Sequence, residues 1–378
     1  MPASDRIGVG VIGTGFMGRC HALAWRAVGA VFDDVKLPDL VAVCDADAGA
    51  ARRAAERFGF ARATADWRDL IADPAVAVVS ITLPNRLHKE VALAALAAGK
   101  HVWCEKPMAL TLADAEAMAS AASAAPSVAA LGYNYLRNPA VRHAARLIES
   151  GAIGEVVQFR GVFDADYSAD AGLPWSWRYR RAEAGLGVLA DLMCHLISVA
   201  QDLVGPIGRV CGDLDTVHRT RPLPDRPGED GPVENEDQAS ALVRFAGGAS
   251  GTLASSRVAW GRKDRLAWEV HGTRGTLAFD QERMNELLLF EAHGPAATRG
   301  FHTILTGPLH PPYGQFCPAP GHGLGFNDLK VIEAAQLLRA IAGRGAAPTS
   351  FAEGLAIERT VHAIAASAAS HGWVGVGA

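Results

Sequence analysis

No two of the chain's six cysteines (Cys20, Cys44, Cys104, Cys194, Cys211 and Cys317) stand at the C-x-x-C spacing that a structural zinc site or a redox pair requires. Cysteines scattered in this way read as small core residues, so neither a disulfide nor a structural metal is expected. The 13 histidines do not cluster like metal ligands either. Lysine and arginine form no run and no basic stripe, and 36 basic against 40 acidic residues leave a net charge of −4. That balance argues against nucleic acid and against an anionic membrane surface as partners. The first residues run straight into strand-like sequence with no positive leader, no twin arginine and no apolar run of membrane length. A cytoplasmic protein is expected. There is no internal repeat.

What is present is enough apolar sequence, 49% of 378 residues, to fill a large core, and the length favours two domains. Residues 7–13 (IGVGVIG) read as a buried strand, followed by an apolar helical pattern from Phe16 towards Val28. Strand-like segments at 40–45, 77–83 and 101–106 then alternate with helical segments at 48–58, 86–98 and 111–125. This alternation specifies a parallel sheet with crossover helices on both faces. After about residue 150 the pattern changes to period-2 alternation broken by glycine pairs, which predicts antiparallel hairpins. Segments 219–236 and 293–326 read as long loops, and helices are predicted at 328–343 and 352–369. The expected architecture is α/β. A dinucleotide-binding Rossmann domain covers 1–132, and a second α/β domain with a large, mainly antiparallel open sheet covers 133–378.

Gly13-Thr14-Gly15-Phe16-Met17-Gly18 is G-x-G-x-x-G between a predicted strand and a predicted helix. The first glycine makes the tight turn, the second lets backbone approach a pyrophosphate, and the third lets helix and strand pack closely. The helix N-terminus offers N–H donors and partial positive charge to phosphate. Asp45, at the end of the second strand, lies further on than the usual spacing of about 20 residues. A loop around 29–38 accounts for the excess. A carboxylate there accepts from ribose hydroxyls and repels a 2′-phosphate, so NAD is expected over NADP. Ala46 and Asp47 follow, with no adjacent base. The competing reading of Asp45 is a turn residue at a strand end.

Three further segments set the chemistry: Thr82-Leu83-Pro84-Asn85 leading through Arg86-Leu87 to His88; Glu105-Lys106-Pro107 at the fourth strand's end; and Gly187 to His195, which contains Asp191. With the glycine motif, in this order, they resemble the Gfo/Idh/MocA family of oxidoreductases over essentially the whole chain. Ser176-Trp177-Arg178 and the segment Pro320–Phe326 look most like the branch holding levoglucosan and inositol dehydrogenases.

The resemblance implies a hydride transfer between nicotinamide and a secondary hydroxyl or ketone of a polyol, sugar or anhydrosugar. It makes Lys106, Asp191 and His195 the catalytic residues, with His195 the general acid/base. The residue types suit that chemistry, since a lysine beside the reacting oxygen stabilises developing negative charge and histidine takes a proton near neutral pH. On a helix Asp191 and His195, four apart, share one face. Lys106 could instead be a solvated strand-end charge and His195 a core histidine. Cofactor contacts are expected from Gly13, Gly15, Phe16, Met17, Gly18, Asp45, Thr82, Leu83, Pro84, Asn85, His88, Glu105, Lys106, Asn134, Trp177 and Arg178. Substrate, held in the cleft between domains, is expected to meet Lys106, Arg178, Asp191, His195, His322 and Phe326. Trp175 and Tyr179 fit interface packing equally well, and His143 and His362 read as surface or packing residues. No clamp of arginines for a carboxylate is visible, so neutral substrates are favoured. A homodimer or homotetramer is implied, because the family's open sheet buries its free face between copies. An NAD-dependent glycoside hydrolase that oxidises its sugar transiently, and a non-catalytic NAD-binding regulator, are the alternatives.

Overall fold

The computed structural model describes residues 6–377 and divides the chain into two compact units. The first runs to Arg137 and takes back Gly325–Leu355; the second is Asn138–Leu324 with the chain from Ala356 onward. The return brings a late helix whose buried side chains, described below, complete the first unit's core.

The first unit opens with β1 (Arg6–Ile12), α1 (Phe16–Val31), β2 (Leu37–Cys44), α2 (Ala48–Phe58), β3 (Arg62–Thr64) and α3 (Trp67–Ala72). It continues through β4 (Val78–Ile81), α4 (His88–Ala97), β5 (His101–Cys104), α5 (Leu112–Ala124) and β6 (Ala129–Leu131). The six strands are parallel in the order β3-β2-β1-β4-β5-β6. Strand order reverses between β1 and β4, and in such sheets ligands bind outside the carboxyl ends of the strands at that point. All four residues of β4 are buried, as both-face coverage of a parallel strand requires, and the one polar side chain among them, Ser80, accepts from Trp25 Nε1 at 2.8 Å. Asp47, Asp66 and Thr111 cap α2, α3 and α5 through their side chains. α1 has glycine at its N-cap and no acidic residue in its first turn. It also runs to Val31, so extra helix, with a five-residue turn before β2, takes up the long spacing to Asp45 in place of the expected loop over 29–38.

The second unit begins with α6 (Pro139–Glu149), β7 (Val156–Asp164) and the short α7 (Arg181–Ala184). A π-helical turn, Leu189–Met193, leads into α8 (Cys194–Val204). The strands β8 (Ile207–Asp215), β9 (Thr220–Pro222), β10 (Asp230–Pro232), β11 (Gln238–Phe245), β12 (Ser250–Ser256) and β13 (Arg265–Gly272) follow. Then come β14 (Gly275–Asp280), β15 (Glu286–Glu291), β16 (His302–Leu305) and α9 (Tyr313–Phe316). The returning segment carries α10 (Phe326–Ile341), while α11 (Phe351–Ser370) starts there and leads back to β17 (Val374–Gly375).

Nine strands form one sheet in the order β16-β15-β14-β13-β7-β12-β11-β8-β17. Every neighbouring pair is antiparallel except β7 with β12, so the sheet is mixed. β11 alternates strictly between exposed and buried, the signature of a sheet with one covered face. α8 covers β7 closely enough that a Cβ on Gly161 would stand 2.5 Å from Leu196.

Three expectations change. Segment 219–236 is not only loop: β9 and β10 pair as a separate ribbon. Within 293–326, β16 extends the large sheet by pairing with β15. Arg181–Val204 also has the length and composition of a membrane span, with mean hydropathy 1.4, but 83% of that window is buried inside the protein, as in a core helix.

Candidate active site

The three glycines differ in what demands them. Gly13 has φ +101°, and a Cβ there would stand 2.5 Å from the Thr82 carbonyl oxygen. At Gly18 a Cβ would stand 2.0 Å from the Gly13 oxygen. The chain's own packing therefore forces both. At Gly15 no heavy atom lies within 4 Å of the added Cβ. Nothing in the chain needs glycine at that position, whereas a pyrophosphate approaching the backbone does. Gly15 also caps α1 without a side-chain hydrogen bond, leaving the helix's first N–H groups for an anion. These residues fit NAD.

The loops around this cradle are tied together. Thr82 donates from Oγ1 to the carbonyls of Ile12 (2.9 Å) and Gly13 (3.0 Å). Asp45 Oδ2 accepts from Thr14 N (3.0 Å) and Thr14 Oγ1 (2.5 Å), and Oδ1 accepts from Asp47 N (3.1 Å). Oδ2 already accepts two hydrogen bonds, so the capacity left for a ribose hydroxyl is on Oδ1. His88 is buried, with Nδ1 2.8 Å from the Pro107 oxygen and Nε2 2.9 Å from the Leu83 oxygen. It thus bridges the Thr82–Asn85 turn to the Glu105–Pro107 turn. Burial pushes its pKa down, against these carbonyl contacts. Lys106 is half-buried just beyond the end of β5, and the Lys106–Pro107 peptide is cis.

Behind Lys106 lies a buried charge cluster. Glu105 Oε1 accepts from His21 Nε2 (2.9 Å) and from Lys330 Nζ (2.5 Å), and Lys330 also pairs with Glu333 (2.9 Å). Burial pushes the Glu105 carboxyl up, but the Lys330 charge and the His21 hydrogen bond outweigh it and hold it well below the carboxylate range. Burial pushes His21 down to about 4. Gly132 is required here, because a Cβ would stand 2.4 Å from Glu105 Oε1.

The second unit carries Asp191 and His195. The π-turn holds Asp191, and His195 follows in the first turn of α8, so the pair straddles a junction that regular i,i+4 spacing does not describe. Such π-turns often mark functional sites. His195 is 4% exposed, its ring 6.0 Å from that of Phe163. Asp191 Oδ2 accepts from the Tyr167 hydroxyl at 2.7 Å. Trp177 and Arg178 form a short 3₁₀ turn, with the exposed guanidinium 4.7 Å over the indole.

Two family profiles cover most of the chain: the oxidoreductase family's NAD-binding Rossmann fold over residues 7–133, and the GFO/IDH/MocA C-terminal domain over 141–278. The chain belongs to the Gfo/Idh/MocA family. Levoglucosan dehydrogenase of Pseudarthrobacter phenanthrenivorans is 42% identical over 98% of both chains. Myo-inositol 2-dehydrogenase of Thermotoga maritima is 28% identical over 79% of this chain and 82% of its own. Among solved structures, levoglucosan dehydrogenase in complex with NADH and levoglucosan superposes with TM-score 0.95 at 42% identity, covering 99% of this chain and 100% of that one. An NAD-binding oxidoreductase from Klebsiella pneumoniae gives 0.94 at 43% identity, with the same coverage.

Within this Gfo/Idh/MocA chain the expected residues sort by unit. The glycine loop, Asp45, Thr82–Asn85, His88, Lys106 and Asn134 belong to the first unit. Asn134 is buried at the start of a 3₁₀ turn, with its Nδ2 unpaired. Glu105 faces inward to His21 and Lys330, so its carboxylate is not free for a cofactor. Phe326 opens α10 and stacks on Phe16 at 5.9 Å, which places it beside the glycine loop. His322 belongs to the second unit and is exposed; the Tyr313 hydroxyl holds its backbone on both sides. Trp175 donates to the Pro232 carbonyl, and buried Tyr179 lies between the guanidiniums of Arg221 and Arg257, so both pack. His143 meets His310 edge-on at 4.7 Å, and His362 sits 3.7 Å from Glu358. Sequence reasoning missed Tyr167, His21, Lys330 and Glu333. A lysine and a glutamate three apart inside the apolar run of α10 were the available signal for the last two.

Proposed function

We propose that this protein is an NAD-dependent dehydrogenase that oxidises a secondary hydroxyl of a neutral anhydrosugar, sugar or polyol, with levoglucosan the first candidate. The observation that carries the reading is the full-length likeness to levoglucosan dehydrogenase, together with that enzyme's structure in complex with NADH and levoglucosan. The open position above Gly15 and the uncapped start of α1 support the cofactor half of it.

Bound nicotinamide supplies the hydride acceptor. Asp45 takes the adenosine ribose hydroxyls, while Gly13, Gly15, Phe16, Met17, Gly18 and Thr82–Asn85 line the dinucleotide, with His88 holding two of its turns. Asn134, Trp177 and Arg178 serve its nicotinamide end. Lys106 donates to the reacting oxygen and stabilises the charge that develops there. His195 accepts the hydroxyl proton. Asp191 orients His195 or a neighbouring substrate hydroxyl, and Arg178, His322 and Phe326 contact substrate. The protein acts in the cytoplasm as a homo-oligomer; exposed Val157 and Leu242 on the large sheet support the oligomer half of that reading.

The test is absorbance at the NADH band with levoglucosan, myo-inositol, scyllo-inositol, glucose, galactose and xylose. NADH should accumulate with at least one. Cleavage of an aryl glycoside only when NAD⁺ is present, without NADH, would establish the hydrolase instead. Tight NAD⁺ binding with neither reaction would leave a regulator.

A further inference from the structure

Tyr167 lies in the loop after β7 and has no role in the proposed chemistry. Its hydroxyl donates to Asp191 Oδ2 at 2.7 Å, while its ring is 43% exposed. The residues around it are fixed from several directions. Ala165 N donates to the Ser256 carbonyl at 2.8 Å, and Ser168 N donates to the Arg257 carbonyl at 3.0 Å. Asp166 Oδ2 accepts from Gly261 N (3.1 Å) and Lys263 Nζ (2.5 Å). Arg221, fully buried, places its guanidinium on the carbonyls of Ser168 (2.5 Å) and Asp170 (2.7 Å). These two charge-assisted hydrogen bonds, with the Tyr179 ring 4.7 Å from the guanidinium, offset the burial of Arg221 and tie the loop down.

Asp191, which this loop addresses through Tyr167, sits half-buried in the π-turn, a backbone feature that often marks functional sites. A functional group is held in place by neighbours that are themselves locked, as Tyr167's loop is.

We propose that Tyr167 is a positioning residue of the reaction, its hydroxyl holding Asp191 in one orientation and as an acceptor while Arg221 braces the loop that presents it. The proposal rests on Asp191 serving the chemistry. Phenylalanine at 167 keeps the ring and removes only the donor, so the fold is spared.

The experiment compares Tyr167→Phe, Asp191→Ala and the double variant, assayed with NAD⁺ and levoglucosan beside the other polyols above. Tyr167→Phe should lower kcat/KM about ten- to a hundredfold, the range for a hydrogen bond to a charged group. Melting temperature and NAD⁺ affinity should stay near those of the wild type. The acid limb of the pH profile should move to higher pH, because a carboxylate that loses a donor binds its proton more readily. In the Asp191→Ala background the second change should cost nothing further. Normal rates in Tyr167→Phe, or the same loss in both backgrounds, would overturn the proposal. Full activity in Asp191→Ala would instead remove Asp191 from the chemistry, and the proposal with it. An arm free of substrate reads the contact itself: tyrosinate absorbance of wild type minus Tyr167→Phe isolates Tyr167, and Asp191→Asn should lower the pH at which it ionises. An unmoved titration would also overturn the proposal.

Discussion

At the scale of single residues, the glycine loop separates what the fold needs from what a ligand needs. A side chain at Gly18 meets the Gly13 carbonyl at 2.0 Å, whereas one at Gly15 meets nothing within 4 Å. Gly18→Ala should therefore lower the melting temperature, by strain of about 1–3 kcal/mol. Gly15→Ala should melt close to the wild type and yet bind NAD⁺ at least tenfold more weakly. Calorimetric titration beside thermal unfolding checks both. The same titration reads Asp45, whose carboxylate is fixed on the Thr14 side and repels a 2′-phosphate. NAD⁺ should bind more tightly than NADP⁺, and equal binding would remove Asp45 from that role. These positions were legible in the sequence because their constraint is local, a turn between one strand and one helix. Tyr167 was not: its partner Asp191 lies 24 residues away, and no periodicity links a loop tyrosine to a π-turn aspartate.

At the scale of elements, α1, β5 and α10 meet through His21, Glu105 and Lys330, the last two 225 residues apart in sequence. Lys330 and its partner Glu333 are both fully buried. Removing one partner of a buried pair costs about 3–5 kcal/mol, because the other charge is left uncompensated. Lys330→Met should lose that much in chemical denaturation. The pH dependence has a definite sign. His21 titrates near 4 in the folded protein, below the ordinary histidine value of about 6.5, so its contribution is complete above 6.5 and is lost as pH falls towards 4. Glu105, held low by Lys330 and His21 against its own burial, adds a loss that begins as pH falls through the ordinary carboxylate range and continues below it. The melting temperature should fall on acidification from pH 6.5, and His21→Gln should reduce the slope above pH 4 without removing it, because burial also pushes His88, His101, His143 and His362 down while it pushes Glu333 up. The helices and parallel strands of this unit were readable from period and burial. The cluster was not, since a charge inside an apolar helix gives no sign of its partner.

At the scale of the whole molecule, the chain passes from one unit to the other at 137/138, 324/325 and 355/356. Sequence pattern marked the change of sheet type near residue 150 but not the return of 325–355, because the apolar residues that α10 buries carry no sign of which unit they complete. A fragment ending at Arg137 would lack Lys330 for Glu105 and Arg339 for Asp34, which it meets at 2.7 Å. It should not fold cooperatively by circular dichroism, whereas the same fragment joined to 325–355 should.

Lys106 belongs to the first unit and His195 to the second. Rates are the measure of whether they serve one hydroxyl. Lys106→Ala, Asp191→Ala and His195→Ala should each lower turnover, and loss of a positioned acid or base costs about 10²–10⁴-fold. NAD⁺ affinity should change far less, because these groups act at the reacting carbon and not along the dinucleotide. The His195 variant should lose the limb of the pH profile that its proton transfer produces, whereas a packing histidine would lower the melting temperature and keep the profile's shape. Once one of two cooperating groups is gone the other has little left to do, so Lys106→Ala/His195→Ala should be much less damaged than the product of the single losses. Multiplicative losses would assign the two residues to separate roles. Near-normal turnover in His195→Ala alone would take it out of the reaction and leave the proton's acceptor to be sought elsewhere.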